Sequence, residues 1–141
     1  MKHYKISTSI KATPQTIWSI LTDSSHYPDW NESVTKVEGT IALGQTIKVF
    51  AKVSPDRAFP VKVVELTSAK QMVWQGGMPL GLFKGVRTFS LTPQDNGEVR
   101  FTMEEQFSGL LSGLICKSMP DLTESFEQFA NGLKAHAEQQ N

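Results

Sequence analysis

The residues best suited to bind a metal or act as a nucleophile are three histidines and one cysteine. His3, His26 and His136 are far apart, and neither H-x-x-x-H nor C-x-x-C spacing occurs. The sequence therefore predicts no metal site and no bound cofactor. Cys116 is the only thiol and lies beside Lys117, with no histidine nearby. Because a nucleophilic cysteine needs a base within hydrogen-bond distance, we expect Cys116 to be a packing residue.

One β-hairpin can be placed from its turn. The segment Asp95-Asn96-Gly97 is typical of a tight turn between two strands. A three-residue loop, with Gly97 in the left-handed conformation, places Gln94 opposite Glu98. A two- or four-residue loop would divide the apolar residues of the following strands between both faces of the sheet. The pattern therefore favours the three-residue loop.

This register predicts a charge pair. Counting outward along the two strands sets Arg87 opposite Glu105. The facing pairs nearer the turn share apolar character, namely Phe89 with Met103 and Leu91 with Phe101. We expect this face to be the concave one, with Arg87 and Glu105 as its polar members. Three possibilities stay open: the two residues form a structural pair near the sheet end, Arg87 reaches out to solvent, or the pair orients a ligand or serves as acid and base.

Hydrophobic periodicity predicts the elements that must position this pair. Alternating segments predict strands at 4–11, 34–38, 47–53, 60–66, 72–75, 83–91 and 99–107. Thr13 and Pro14 are typical of an N-cap and a first helical position, so a short helix is expected at 14–22. Residues 26–30 predict a tight turn or a second very short helix. The order is typical of a meandering antiparallel sheet.

After Gly109 the spacing of the apolar residues changes from the period of a strand to that of a helix. Apolar residues recur at spacings of 4, 3, 4, 3 and 4, namely Ile115, Met119, Leu122, Phe126, Phe129 and Leu133. This predicts a long helix with one apolar stripe, able to lie across a curved sheet. Pro120 leaves two possibilities for the start. The helix begins near Ser118, with Ser118 and Asp121 as a capping pair, or begins near Gly113 and kinks at Pro120.

Composition excludes several classes of protein. The chain has 141 residues with 14 Lys and Arg against 14 Asp and Glu, which argues against nucleic-acid binding and gives no reason to expect electrostatic docking on anionic membranes. The length suits one domain spanning 1–141. The N-terminus lacks the apolar core of a signal peptide, and no apolar stretch approaches the ~20 residues of a membrane span. We expect a cytoplasmic protein without an integral membrane segment.

Four motifs carry a resemblance to a known superfamily. They are Ala12-Thr13-Pro14-Gln15-Thr16-Ile17-Trp18, Tyr27-Pro28-Asp29-Trp30-Asn31, Arg87-Thr88-Phe89-Ser90-Leu91-Thr92-Pro93 and Glu104-Glu105-Gln106-Phe107-Ser108-Gly109. Together they resemble the SRPBCC, or START-like, proteins and the polyketide cyclase/dehydratase-like group among them. The resemblance covers nearly the whole chain. It implies an α+β helix-grip fold, in which a curved antiparallel sheet of about six to seven strands wraps around a long C-terminal helix, with two short helices after the first strand.

The resemblance also implies an apolar cavity between sheet and helix, because such proteins hold lipids, sterols, hormones, quinones or polyketides. The residues alone favour a plain packed core, because cavities cost stability, and the resemblance reverses this preference. We expect binding of a small apolar or amphipathic molecule by a monomer or weak homodimer. The expected lining is Trp30, Trp74, Phe83, Arg87, Phe89, Met103, Glu105, Met119, Leu122 and Phe126. The alternatives are a cyclase/dehydratase-like enzyme that uses Arg87 and Glu105, and a protein-interaction module with a filled core.

Two connecting segments, 78–83 and 109–114, are unusually apolar for loops. Exposed apolar patches tend to mark interaction sites. The segments can form the mouth of a ligand site, pack on each other, or form a dimer contact.

Overall fold

The sheet has seven antiparallel strands in the order β1-β7-β6-β5-β4-β3-β2. The computed structural model describes residues 2–140. The strands are β1 (Lys2–Ile10), β2 (Val34–Glu38), β3 (Thr46–Ala51), β4 (Ala58–Thr67), β5 (Gln71–Met78), β6 (Phe83–Pro93) and β7 (Val99–Ser108). The first strand lies beside the last, as predicted.

Within residues 2–140, four α-helices accompany the sheet. They are α1 (Pro14–Leu21), α2 (Tyr27–Trp30), α3 (Ser112–Ser118) and α4 (Thr123–Gln140), with a short 3-10 turn, Ser24–His26, before α2. The Thr13 hydroxyl accepts a hydrogen bond from Thr16 N at 3.1 Å, so the predicted N-cap of α1 is confirmed. The curled sheet with a long C-terminal helix confirms the α+β helix-grip fold. No helix within residues 2–140 is long and apolar enough to cross a membrane.

The C-terminal apolar stripe is interrupted. A helix begins at Ser112, close to the predicted start near Gly113, but it ends at Ser118, so the chain has a break before Pro120 and not a kink. Met119 is extended, with φ −77° and ψ 146°, because the following Pro120 disfavours helical backbone at the residue before it. The helix resumes at Thr123, whose N–H donates to the Asp121 carboxylate at 2.9 Å. Ser118 instead donates to the Ile115 carbonyl, so Ser118 and Asp121 are not a capping pair.

The register predicted for the hairpin is confirmed. Gln94 N donates to the Glu98 carbonyl at 2.8 Å, and Gly97 has φ 85°. The facing pairs are those expected from the three-residue loop: Leu91 with Phe101, Phe89 with Met103 and Arg87 with Glu105.

An aromatic cluster joins α4 to the sheet and to α2. We call it the Phe129 cluster, and its members are Tyr27, Trp30, Phe89, Phe101 and Phe129. Phe129 lies 5.2 to 6.1 Å, between ring centroids, from the other four rings. The side chains of the cluster are almost completely buried. The helices approach closely here, because a Cβ atom at Gly132 of α4 would lie 1.9 Å from the Trp30 carbonyl oxygen.

Candidate functional site

One line of side chains crosses the sheet from β1 to β5. The strand registers place Tyr4 opposite Glu105, Glu105 opposite Arg87, and Arg87 opposite Trp74. Residues directly opposite each other point to the same face of a sheet. We call these four residues the Arg87 row.

The centre of the row is an ion pair covered by α4. Arg87 Nε donates to Glu105 Oε1 at 2.6 Å, and the two side chains are 23% and 14% exposed. The Arg87 guanidinium lies 4.9 Å from the centre of the Phe126 ring. The same ring stacks on Tyr4 at 5.5 Å. The cation–π contact and the ion pair together fix the guanidinium between the sheet and the helix.

The row holds hydrogen-bond donors without acceptors. Tyr4 Oη and Trp74 Nε1 are buried and have no hydrogen-bond partner. Arg87 bonds to Glu105 through Nε, and within residues 2–140 no hydrogen bond from its two Nη groups is found. Leaving a buried polar group unpaired costs about 1–3 kcal/mol. The arrangement therefore suits a group that presents acceptor atoms, such as a carbonyl or a carboxylate.

Two glycines lie beside the row, where neighbouring groups come close to the backbone. Gly85 of β6 faces Gly76 of β5. A Cβ atom at position 85 would lie 3.1 Å from Phe107 Cε1 and 3.3 Å from Glu105 Oε2. A Cβ atom at position 76 would lie 2.9 Å from the Pro60 carbonyl oxygen, so the backbone of β4 excludes a side chain there. The Phe107 ring and the Glu105 carboxylate fill the volume over Gly85, and we call this volume the Gly85 space.

Glu105 borders that space with its second carboxylate oxygen. Oε1 accepts from Arg87, whereas Oε2 lies toward Gly85. An aromatic wall continues beyond it, since Phe83 and Phe107 stack at 5.7 Å with nearly parallel rings. The site thus combines an ion pair, unpartnered donors and an apolar surface, the usual components of a small-molecule site.

The structure brings together part of the predicted lining. Trp74, Arg87, Glu105 and Phe126 form or cover the row, and Phe83 stands beside the Gly85 space. Phe89 and Met103 occupy the next line of the sheet and are completely buried.

The other predicted residues lie elsewhere. Trp30 belongs to the Phe129 cluster, 4.8 Å from Tyr27 between ring centroids. Met119 and Leu122 lie in the break between α3 and α4 and are half-buried.

The sequence analysis missed Tyr4, Gly85 and Phe107 as site residues. Tyr4 shares its alternating face with Ile6, which was visible in the sequence. Its position opposite Glu105 depends on the pairing of β1 with β7, and no short turn joins these strands to fix that register.

Two open grooves are found at the surface of the described chain. One, of about 460 Å³, lies between the β1–α1 connection and the β6–β7 turn. The other, of about 410 Å³, lies between α2 and α4. Among the ten predicted lining residues, Trp30 alone borders either groove. Within residues 2–140 no cluster of His, Cys, Asp and Glu is arranged to hold a metal ion.

Comparison with solved structures supports the fold. The dimeric Aha1 protein of Colwellia psychrerythraea is 21% identical with a TM-score of 0.74, and the match covers 98% of this chain and 97% of that one. A START superfamily protein of Mycobacterium smegmatis is 16% identical with a TM-score of 0.72, covering 99% of both chains. The Zhui aromatase/cyclase of Streptomyces sp. R1128 is 12% identical with a TM-score of 0.73, covering 99% and 94%.

Sequence comparison identifies the family. No curated protein is significantly similar to this chain. The family model described as polyketide cyclase / dehydrase and lipid transport matches residues 1–138. This match confirms the resemblance drawn from the four motifs, and the chain belongs to the polyketide cyclase / dehydrase and lipid transport family.

Proposed function

We propose that this chain binds an amphipathic small molecule of lipid, polyketide or aromatic type between the sheet and the C-terminal helices. The observation that carries the proposal is the pair of buried, unpartnered donors, Tyr4 Oη and Trp74 Nε1, at the two sides of the Arg87–Glu105 ion pair. Buried donors are normally satisfied, so their pairing with a bound ligand explains why they persist. Family membership supports the same class of ligand.

The ligand's two parts have different surroundings in this proposal. Its acceptor group contacts Tyr4, Trp74 and the Nη groups of Arg87. Its apolar part lies along the stacked rings of Phe83 and Phe107, which cover the Gly85 space. Apolar burial supplies most of the affinity, and the donors select ligands by their acceptor atoms. In this proposal residues 1–141 act as one cytoplasmic domain, as a monomer or weak homodimer.

A second candidate function is a cyclase/dehydratase-like enzyme. The position of Glu105 Oε2 favours it, because this oxygen borders the Gly85 space while Oε1 is held by Arg87. Glu105 could then take a proton from a bound substrate, and Arg87 could stabilise the negative charge that develops on a carbonyl oxygen. A Glu105→Gln variant that binds a substrate but no longer turns it over would favour the enzyme.

The binding proposal is tested by titrating the protein with a fluorescent apolar probe and then competing with matched ligands. Each set shares one apolar chain and ends in a carboxylate, a methyl ketone or a methyl group. The acceptor-bearing ligands should compete best. Tyr4→Phe and Trp74→Phe should each weaken their binding by about tenfold, since each removes one donor.

Trp30→Phe is the matched control. It also removes a buried, unpartnered indole N–H, but outside the Arg87 row, so ligand affinity should not change. The proposal would be contradicted if ligands with and without an acceptor group competed equally well. It would also be contradicted if all three variants lost the same amount of ligand affinity. Absence of binding by every ligand would favour the interaction module with a filled core.

A further inference from the structure

The connections at one end of the sheet expose large apolar side chains. Leu80 is 91% exposed, Leu110 84%, Leu114 71% and Met78 45%. They come from the end of β5, the β5–β6 connection, the β7–α3 connection and α3. We call these four residues the leucine patch. Such exposure removes the possibility that these side chains serve mainly to pack on each other.

The two connections that carry Leu80 and Leu110 are joined by their backbones. Leu110 N donates to the Gly81 carbonyl at 3.0 Å, and Leu111 N donates to the Leu82 carbonyl at 2.7 Å. Gly109 permits this approach, since a Cβ atom there would lie 2.7 Å from the Leu82 carbonyl oxygen. The leucines are therefore held outward by an ordered pair of loops.

Leu80 adopts a backbone conformation that is unfavourable for a residue with a bulky side chain. Its φ is 61°, in the left-handed region that bulky residues rarely occupy. A glycine or asparagine would fit this position with less strain. An exposed leucine here gains nothing from the core of the chain, so its apolar side chain points to a partner outside the chain.

The charges around the patch are positive. Segments 78–84 and 109–119 contain Lys84 and Lys117 and no acidic residue. Both lysines are exposed, and no ion pair of either is found within residues 2–140. Lys2 lies opposite Phe107 at the same end, but the charge of Asp121 offsets it, so the positive charge beside the patch comes from Lys84 and Lys117. The even charge balance of the whole chain thus hides a locally basic end.

We propose that the leucine patch inserts into an anionic lipid bilayer, with Lys84 and Lys117 at the headgroups. Apolar side chains at loop tips, flanked by basic residues, match the layered chemistry of a bilayer surface. A second copy of the chain fits less well, because it would bring the same two lysines together, and the segments that carry the patch hold no acidic residue to pair with them. This inference does not depend on the bound small molecule.

The test is flotation of the full chain with vesicles of phosphatidylcholine alone or with added phosphatidylserine. The protein should float with the anionic vesicles, and added salt should release it. The double variant Leu80→Asn with Leu114→Gln should lower the partition coefficient by about tenfold or more, since two inserting side chains are lost. Asparagine suits the left-handed backbone at position 80, so the fold is preserved.

Leu43→Asn is the matched control. Leu43 is 63% exposed but lies in the β2–β3 connection, away from the patch, so its replacement should leave vesicle binding unchanged. Absence of flotation, or equal loss in the control, would overturn the inference. So would a concentration-dependent dimer in sedimentation that the double variant abolishes while vesicles bind neither protein; the patch would then be a contact between copies.

Discussion

Phe126 and Phe129 lie on the same helix, are both almost fully buried, and meet opposite surroundings. Phe129 packs against four aromatic rings. Phe126 covers the ring of Tyr4 and the guanidinium of Arg87. Burial alone therefore does not separate core from site in this fold. The groups beneath each buried ring differ: aromatic rings pack under Phe129, whereas a guanidinium lies under Phe126.

Polar groups differ in the same way between the Phe129 cluster and the Arg87 row. The Tyr27 hydroxyl, buried in the cluster, donates to the Leu21 carbonyl, and burial raises the pKa of Tyr27 well above its usual range. In the row, Tyr4 Oη and Trp74 Nε1 have no partner. Trp30 Nε1 is the exception in the cluster, and Trp30 borders the groove beside α4. Satisfied groups suit a permanent core, whereas unpartnered donors suit a partner that comes and goes.

The largest expected effect is the loss of Phe129. Phe129→Ala should lower the free energy of unfolding by about 3–5 kcal/mol, because it removes a ring from the centre of a closed cluster. Phe126→Ala should cost less, since it leaves a gap beside a guanidinium that water can solvate. Urea denaturation of both variants measures the difference. Equal losses would mean that the two regions do not differ in packing.

Gly132 tests how tightly the cluster is closed. Alanine normally stabilises a helix relative to glycine by up to about 1 kcal/mol. Here a Cβ atom would meet the Trp30 carbonyl at 1.9 Å, so Gly132→Ala should instead lower the free energy of unfolding by about 1–3 kcal/mol.

Gly113→Ala provides the control for Gly132→Ala. No atom lies within 4 Å of a Cβ at position 113 in α3, so this change should stabilise the protein slightly. Thermal unfolding of the two variants should therefore shift in opposite directions. If both variants shifted the melting temperature in the same direction, the close approach of α2 and α4 would be contradicted.

The sequence predicted the parts of both regions that follow from local rules. The turn at Asp95-Asn96-Gly97 set the β6–β7 register and so the pairing of Arg87 with Glu105. Tyr4 was not found, because its partner depends on strands far apart in the chain. Pro120 signalled a change in the helix, but the extended Met119 that separates α3 from α4 could not be distinguished from a kink. The contact of Gly132 with Trp30 depends on how α4 packs on α2. The spacing of apolar residues in the sequence does not predict that packing.

The ion pair of the Arg87 row should have a smaller effect on stability than on binding. Arg87→Ala leaves Glu105 without its cation and should lower the free energy of unfolding by about 1–2 kcal/mol, since both side chains are partly exposed. The double variant Arg87→Met with Glu105→Leu should be closer to the parent, because it removes both charges and keeps the volume. It should nevertheless lose affinity for acceptor-bearing ligands. A double variant that binds normally would make the pair structural only.

The smallest expected effect concerns the C-terminal end of α4, the helix that carries both Phe126 and Phe129. Glu138 Oε2 accepts hydrogen bonds from Lys11 N and Lys134 Nζ, each at 2.9 Å, and Lys134 also donates to the Ser9 carbonyl. The hydrogen bond from Lys11 N, and then that from Lys134, lower the pKa of Glu138 from its ordinary value of 4.5. A carboxyl whose pKa is lowered by folding stabilises the protein above its unfolded pKa, and this contribution disappears as the pH falls through the folded value.

Glu138→Gln should therefore lower the free energy of unfolding by about 1 kcal/mol or less at neutral pH, because the contacts lie near the surface. The difference from the parent should shrink below pH 4.5, the ordinary pKa of the group. Urea denaturation across this pH range measures it. Ligand affinity should stay unchanged, since position 138 lies at the opposite end of α4 from Phe126. A change in affinity as large as that of Tyr4→Phe would mean that the end of α4 sets the geometry of the Arg87 row, and the two regions would then not be independent.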